Sequence, residues 1–450
     1  MKTVYRALTI AGSDSGGGAG IQADLKTFAA LRVYGACAIT AITAQNTRTV
    51  TAIQDVEPQV VKAQIDAVVS DIGVDVAKTG MLHTSEIIKL VAQEIRRYGI
   101  PTVVDPVMIA KSGAKLLRDD AIEVLVKALL PNATIVTPNA PEATVLSGLE
   151  VENLETAKEA AKKIAAMGPR GVVVKGGHIP SKGKVADVLY VDGKYHVFEA
   201  DELPSKTTHG TGCVFSSAIA AYLAKGEDIK AAVSKAKGFV LDAIRFGMPV
   251  GGGYGPVNPM ANIYREAEKP KVLENIVSAI RLLESSQSVA KVIPEVNSNL
   301  AMALEYAVDS SEVAGIPGRL FRVANAVKAH SCPVFGGSRH VANTILAAKA
   351  HDSFVRAAMN IRYSPGILGK VRELGFVASA YDRRNEPPEV KGAEGMTTKW
   401  GAEEAIRAAG RVPNAIYHDG DWGKEAMITI LGKDAIEVAK TVIRIAEMLP

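Results

Sequence analysis

His209-Gly210-Thr211-Gly212-Cys213 stands directly before the apolar stretch 214–224. A glycine turn feeding a helix offers unpaired amides and the positive end of the helix dipole, and its small residues let an anion approach closely, so phosphate is the expected guest. Cys213 then lies where a transferred phosphoryl group would pass. At a helix N-terminus its thiol is expected to have a lowered pKa and to take a proton from a hydroxyl, or to place that hydroxyl for attack. Phosphoryl transfer also needs a cation for the phosphates and hard oxygen ligands for magnesium. Lys175, at the end of the apolar run 172–174, can supply the first; Asp105 and Glu142 can orient the metal, directly or through water. Taken singly, the carboxylates read as helix caps, the lysine as a solvated strand end and the cysteine as a small core residue. Their convergence at strand ends is what points to a kinase.

The elements that must position these residues follow from hydrophobic periodicity. Strand-like runs at 4–10, 36–42, 74–77, 102–105, 134–137 and 172–175 alternate with helical patterns at 21–31, 85–98 and 156–167, which predicts a wound α/β sheet. Several runs end in polar or glycine-rich segments: Gly12-Ser13-Asp14, Asp105-Pro106, Thr137-Pro138-Asn139 and Lys175-Gly176-Gly177. Open α/β sheets bind ligands at that edge. The pattern breaks at the glycine cluster 251–256, so the chain is divided into 1–262, a charged linker 263–270 and a smaller α/β domain 271–450. In that second part strands are expected at 357–363, 377–381, 415–418 and 427–431, helices at 272–284 and 435–449, and a mobile loop at 382–398.

Composition narrows the function classes. A chain of 450 residues is long enough for two cores, and 48% hydrophobic residues can fill them. The net charge of +4 comes from 52 basic and 48 acidic residues that are interspersed, so the nucleic-acid footprint is weak and no nucleic-acid partner is expected. Cys37, Cys213 and Cys332 lack disulfide or zinc spacing, which indicates a reducing compartment. With neither a secretory signal nor a membrane-spanning run, a cytoplasmic protein without membrane partners is expected.

Residues 1–262 resemble the hydroxymethylpyrimidine and phosphomethylpyrimidine kinases of thiamine synthesis, members of the ribokinase-like superfamily. The resemblance is carried by AGSDSGGGAGIQADLKT at 11–27, AITAQNT at 41–47, DPVMIAKSG at 105–113, TPNAPEA at 137–143, VKGGH at 174–178 and HGTGC at 209–213. It implies ATP and Mg²⁺ as cofactors and two successive phosphorylations, of the alcohol and then of its monophosphate. Gln45 would read the aminopyrimidine, with Gly12 and Val107 lining its pocket; Gly210, Thr211, Gly212 and Asp105 would hold phosphate or ATP. Related enzymes accept pyridoxal-type alcohols, which keeps vitamin B6 phosphorylation open as a side activity.

Beyond residue 270, polar groups cluster at turns: Gly318-Arg319, Gly337 to His340, Asn360 to Tyr363 and His418 to Lys424. Arginine forks, a lysine and glycine amides could hold a diphosphate, and Asp419 and Asp421 could bind magnesium, although such loop residues are often simply solvated. This part resembles the ThiN-type thiamine-phosphate synthase domain, most recognisably through MNIRYSP at 359–365 and IYHDGDWGKE at 416–425. The resemblance implies that the pyrimidine diphosphate is joined to a thiazole phosphate, with Arg319 and His340 stabilising the departing diphosphate and Lys424 assisting. The alternatives are a domain that binds thiamine phosphate only as a sensor, and one that serves only assembly. Small-molecule partners and a homo-oligomer are expected.

Overall fold

The computed structural model describes residues 4–109, 116, 117, 119–177, 179, 183–391 and 396–450. Two compact units divide between Ile263 and Tyr264. In the first, β1 (Arg6–Asp14), β2 (Tyr34–Gln45), β3 (Val50–Asp55), β4 (Val76–Thr79), β5 (Thr102–Val104), β6 (Ile135–Val136), β7 (Gly171–Val174), β8 (Lys184–Val191) and β9 (Lys194–Asp201) form one sheet. Their order is β3-β2-β1-β4-β5-β6-β7-β8-β9. The stretch from β2 to β7 is parallel.

Leu8, Ile10, Ala77, Val104, Val136 and Val174 face one buried layer, with helices Ser85–Tyr98 and Leu154–Ala165. Ala7, Val76, Val103, Ile135 and Val173 face the other, with helices Gly20–Ala30, Thr211–Ala224 and Ile229–Arg245. A sheet covered on both faces reads as unbroken apolar runs, which is why these strands were visible in the sequence. The chain passes from β1 to β2 on one side and later places β4 on the other, so the switch point lies between β1 and β4.

The second unit contains β10 (Leu300–Ala303), β11 (Val313–Gly315), β12 (Leu320–Val323), β13 (Ala326–Ala329), β14 (Val334–Phe335), β15 (Ala357–Arg362), β16 (Ala378–Ala380), β17 (Ala415–His418) and β18 (Met427–Gly432). Seven of them form a mixed sheet in the order β14-β11-β10-β15-β18-β17-β16, and β12 pairs with β13 as a separate ribbon. Helices His340–His351, Met396–Ala409 and Ala435–Glu447 contribute to its core.

Two expectations change. Residues 263–270, read as a linker, are helical within Ala261–Ser285, with Pro270 withdrawing one amide from the ladder. The segment 382–398 is not one loop: it holds a 3₁₀ turn at Arg383–Asn385, helix Pro388–Lys391 and the start of helix Met396–Ala409, while 392–395 lie outside the described residues. Proline at the first helical position and the Asp382 cap onto the Arg384 amide favour these short turns despite their charge. In the kinase-like motifs, residues 110–113 and His178 also lie outside the described set.

Candidate functional site

The helix Thr211–Ala224 begins at Gly210, in the left-handed region with φ +81°. A Cβ there would lie 1.9 Å from the Gly18 carbonyl oxygen, so only glycine lets this turn lie against the Gly16–Gly18 loop. Neither this helix nor Gly20–Ala30 has a side-chain cap, and the Gly20 amide donates to the Cys213 sulfur. Two uncapped helix N-termini therefore meet at the switch point, with their positive ends toward one place. Gly212 opens toward Lys175 and Asp105: a Cβ on it would stand 3.4 Å from Lys175 Nζ and 3.6 Å from Asp105 Oδ2.

Lys175 Nζ donates to Asp105 Oδ1 at 3.1 Å. Burial opposes the Lys175 charge, but Asp105 and Glu142 hold its pKa above the ordinary value. The other Asp105 contacts are Thr137 Oγ1 on Oδ1 and Ser216 Oγ on Oδ2, each at 3.3 Å. Glu142 forms a capping box with Asn139 and accepts the Met108 amide at 3.4 Å. Burial lifts its carboxyl to about 7 against the pull of Lys175, and Asp105 adds to the rise. Both carboxylates already have protein donors, so magnesium fits them best through water and the nucleotide's phosphates rather than as a stripped ion. Among the described residues no three His, Cys, Asp or Glu side chains gather as a metal cage.

Cys213 departs from the sequence expectation of a lowered pKa. Burial pushes its thiol up to about 11, and Asp24 and Asp105 add to the rise, against the Lys78 charge and the Gly20 amide. Loss of water outweighs the helix terminus here.

On the acceptor side, Gly12 lies under Met81, with a Cβ position 3.3 Å from its sulfur. Val107 packs on the small cluster of Ala41, Met81 and Leu116. Gln45 Oε1 accepts from Thr43 Oγ1 at 3.2 Å, and its Nε2 is 3.3 Å from His209 Nε2. His209 is also 3.1 Å from Asp14, whose carboxylate takes the amides of Gly16, Gly18 and Ala19. Burial would raise Asp14, but His209 and these loop amides hold it below the usual carboxylate value. Asp14 and His209 were given no role from sequence, although GSDSGGG and HGTGC contain them.

In the second unit the expected residues lie at one sheet edge. The register pairs Arg362 with Met427 and Met427 with His418, and Ala380 with Tyr417, which places the ends of β15, β17 and β16 beside the start of β18. The turns are tied through the segment 295–299. Glu425 accepts the amides of Glu295 and Val296, each at 3.0 Å, and the Val296 carbonyl accepts from Arg319. Asn360 accepts the Asn299 amide at 2.7 Å, and Asn299 in turn brackets Ile316 through both amide atoms. A Cβ on Gly315 would stand 2.7 Å from that of Ser338, so the end of β11 that leads toward the Gly318-Arg319 turn adjoins the segment that starts helix His340–His351. Arg319 holds a left-handed φ of +71°, uncommon for a side chain of this size. His340 is exposed at the first turn of its helix, and Lys424 sits in the exposed turn 421–424.

A further cluster on this edge escaped sequence reading. Tyr381, Glu386 and His418 are buried, and the Tyr381 ring lies 5.1 Å from His418 and 6.0 Å from Trp400. Burial depresses His418 to about 4 and raises Tyr381 to about 12. His418 stood in the sequence within a recognised motif and Tyr381 at the end of the expected strand 377–381, but nothing local joined them to each other or to Glu386.

Comparisons with known proteins separate along the same two units. The phosphomethylpyrimidine kinase profile matches residues 14–258, and the thiamine-phosphate synthase ThiN profile matches 275–444. The chain is 50% identical over 252 residues to the thiamine biosynthesis bifunctional protein ThiED of Geobacter sulfurreducens, covering 56% of this chain and 51% of that one. It is 45% identical over 260 residues to the hydroxymethylpyrimidine/phosphomethylpyrimidine kinase of Bacillus subtilis, covering 58% of this chain and 96% of the relative. An ADP complex of Bacillus subtilis pyridoxal kinase superposes with a TM-score of 0.54 at 40% identity, over 58% of this chain and 99% of the other. The ribokinase-like fold, the paired N-termini at Gly210 and Gly20 and the two profile matches lead to one assignment: the chain belongs to the phosphomethylpyrimidine kinase family and carries a ThiN thiamine-phosphate synthase domain behind its kinase unit.

Proposed function

We propose that one chain carries hydroxymethylpyrimidine through to thiamine phosphate, with both phosphorylations in the first unit and the coupling in the second. The observation that carries the kinase half is the meeting of two uncapped helix N-termini beside Lys175 and Asp105. The substrate lies on Gly12, Val107 and Gln45 with its hydroxymethyl group toward Cys213. Its oxygen attacks the γ-phosphorus of ATP; the new O–P bond forms as the β–γ bridge breaks, the hydroxyl proton passes to an oxygen of the transferred phosphoryl group and on to water, and ADP leaves. Magnesium, when bound near Asp105 and Glu142, neutralises charge on the phosphates. Lys175 and the amides of Gly210 to Cys213 hold the transferred group, and this preorganised charge supplies most of the rate. Cys213 orients the hydroxyl; burial keeps its sulfur protonated in the free site. The monophosphate then re-enters with its phosphate as the acceptor.

In the second unit, diphosphate departs from the pyrimidine methylene and the thiazole nitrogen captures the cationic carbon. Arg319 and His340 stabilise the leaving diphosphate, with Lys424 as an outer contact. The clamped 295–299 segment and the left-handed Arg319 support an active rather than a merely sensing site, because rigid placement serves transition-state charge. The pyridoxal kinase neighbour supports pyridoxal as a second alcohol substrate. The whole chain should be incubated with hydroxymethylpyrimidine, thiazole phosphate, ATP and magnesium, with pyrimidine phosphates and thiamine phosphate separated by chromatography. Thiamine phosphate is the expected product. His340→Ala should build up the pyrimidine diphosphate and cut coupling at least tenfold; unchanged coupling would remove His340 from the mechanism.

A further inference from the structure

Lys78 is a lysine inside an apolar strand, and it is fully buried. It stands on the same face of the sheet as Val76, beneath the helices Gly20–Ala30 and Thr211–Ala224. Its ammonium makes two bonds to Asp24, 3.0 Å to Oδ1 and 2.9 Å to Oδ2, and Asp24 is also fully buried. The carboxylate is completed by Thr9 Oγ1 and Ser217 Oγ, each at 2.6 Å. One carboxylate thus ties β1, β4, helix Gly20–Ala30 and helix Thr211–Ala224 together, at the switch point of the sheet.

Such a pair is costly to bury, and stability does not explain keeping it: apolar residues of similar volume often serve as well. Its placement does. Ser217 is one helical turn beyond Cys213 on the same face, so the bond to Asp24 fixes the rotation and depth of the helix start. Lys78 reaches toward the strand end: a Cβ on Gly80 would stand 2.9 Å from Nζ. Its charge acts on the Cys213 thiol, and the Gly20 amide that touches this sulfur is on the helix that Asp24 anchors.

We propose that Lys78, clamped by Asp24, is a positioning residue for phosphoryl transfer: it sets the Gly210–Cys213 turn against the strand ends and keeps a fixed positive charge beneath the cysteine sulfur. The proposal rests on the kinase reading of the first unit. It assigns work in the reaction to a lysine that touches neither nucleotide nor pyrimidine, beside the phosphate-facing Lys175.

Lys78→Met leaves Asp24 buried without its counter-charge and is expected to lower the melting temperature sharply, so the decisive variant is the doubly neutral Asp24→Asn/Lys78→Gln, compared with Lys78→Arg. The purified full chain is assayed for both phosphorylations, and Cys213 alkylation by iodoacetamide is followed peptide by peptide across pH. Wild-type turnover first establishes the kinase reading on its own. The double variant should then lose at least tenfold in kcat while the KM values for ATP and pyrimidine move less than about threefold. The pH of half-maximal Cys213 alkylation should rise, because the lost Lys78 charge, which lowers the thiol pKa, outweighs the lost Asp24 charge, which raises it, and Lys78→Arg should recover part of both. A purely structural pair would change the melting temperature alone. A folded double variant with wild-type kcat and an unshifted alkylation profile would overturn the proposal.

Discussion

Burial holds the His418 imidazole at about 4, against an ordinary value of 6.5, with Arg383 adding to the depression and Asp419 opposing it. The folded unit therefore binds a proton less readily than the unfolded chain. Above pH 6.5 both forms are neutral and the difference vanishes. As pH falls from 6.5 toward 4 the unfolded chain gains the proton first and stability is lost, by roughly 1.4 kcal/mol per pH unit and about 3 kcal/mol in all. Trp400 and Trp422 are the chain's two tryptophans and both lie in the second unit, so their fluorescence reports its unfolding selectively. Urea midpoints should fall between pH 7 and pH 4.5, and His418→Gln should flatten much of that fall; an equal slope in the variant would mean that other groups carry it. Cys213 belongs to the same physics. Its type and position were visible in HGTGC, but its protonation was not, because both its burial and the charges of Lys78, Asp24 and Asp105 around it are brought about only by the fold.

Elements at the second sheet edge depend on a single bridging carboxylate. Glu425 holds two successive amides of the segment 295–299, and that segment presents the Val296 carbonyl to Arg319. Replacing Glu425 with Ala leaves those amides to water and should cost about 1–3 kcal/mol of second-unit stability. The larger expected effect is on chemistry: coupling of supplied pyrimidine diphosphate should slow about tenfold while both phosphorylations stay unchanged. A folded Glu425→Ala chain that couples at the wild-type rate would show that the clamp does not position Arg319. This clamp joins residues 130 positions apart; Glu425 closes the recognised motif 416–425, but nothing local in the sequence pairs it with the 295–299 segment. Parallel strands were legible in the first unit because both faces are apolar. Lys78 ended the third expected strand, 74–77, at Ala77, where the structure continues β4 to Thr79. The hairpin of β8 and β9 was missed although Asp192-Gly193, with φ of +48° and +74°, marks its turn. The 2- to 4-residue strands β10 to β14 are too short to show a period.

At the scale of the whole molecule, the two compact units meet the two profile matches, and each brings its own site residues. The first unit's product is the second unit's substrate, yet a shared chain requires no direct handover. A small, charged and soluble diphosphate can reach a second site by diffusion once it accumulates toward the synthase KM. Two crippled chains should therefore repair one another. Cys213→Ala alone should make little thiamine phosphate from hydroxymethylpyrimidine, because phosphorylation is slow, but should couple supplied diphosphate normally. His340→Ala alone should stop at the diphosphate. Mixed in equal amounts, they should form thiamine phosphate after a lag that lengthens as the enzymes are diluted, since the pool of intermediate fills more slowly. The wild-type chain at matched site concentrations should show the same lag if transfer is through solution. A wild-type chain without a lag, beside a mixture that stays inactive, would instead require the diphosphate to pass within one chain or one assembly before it escapes.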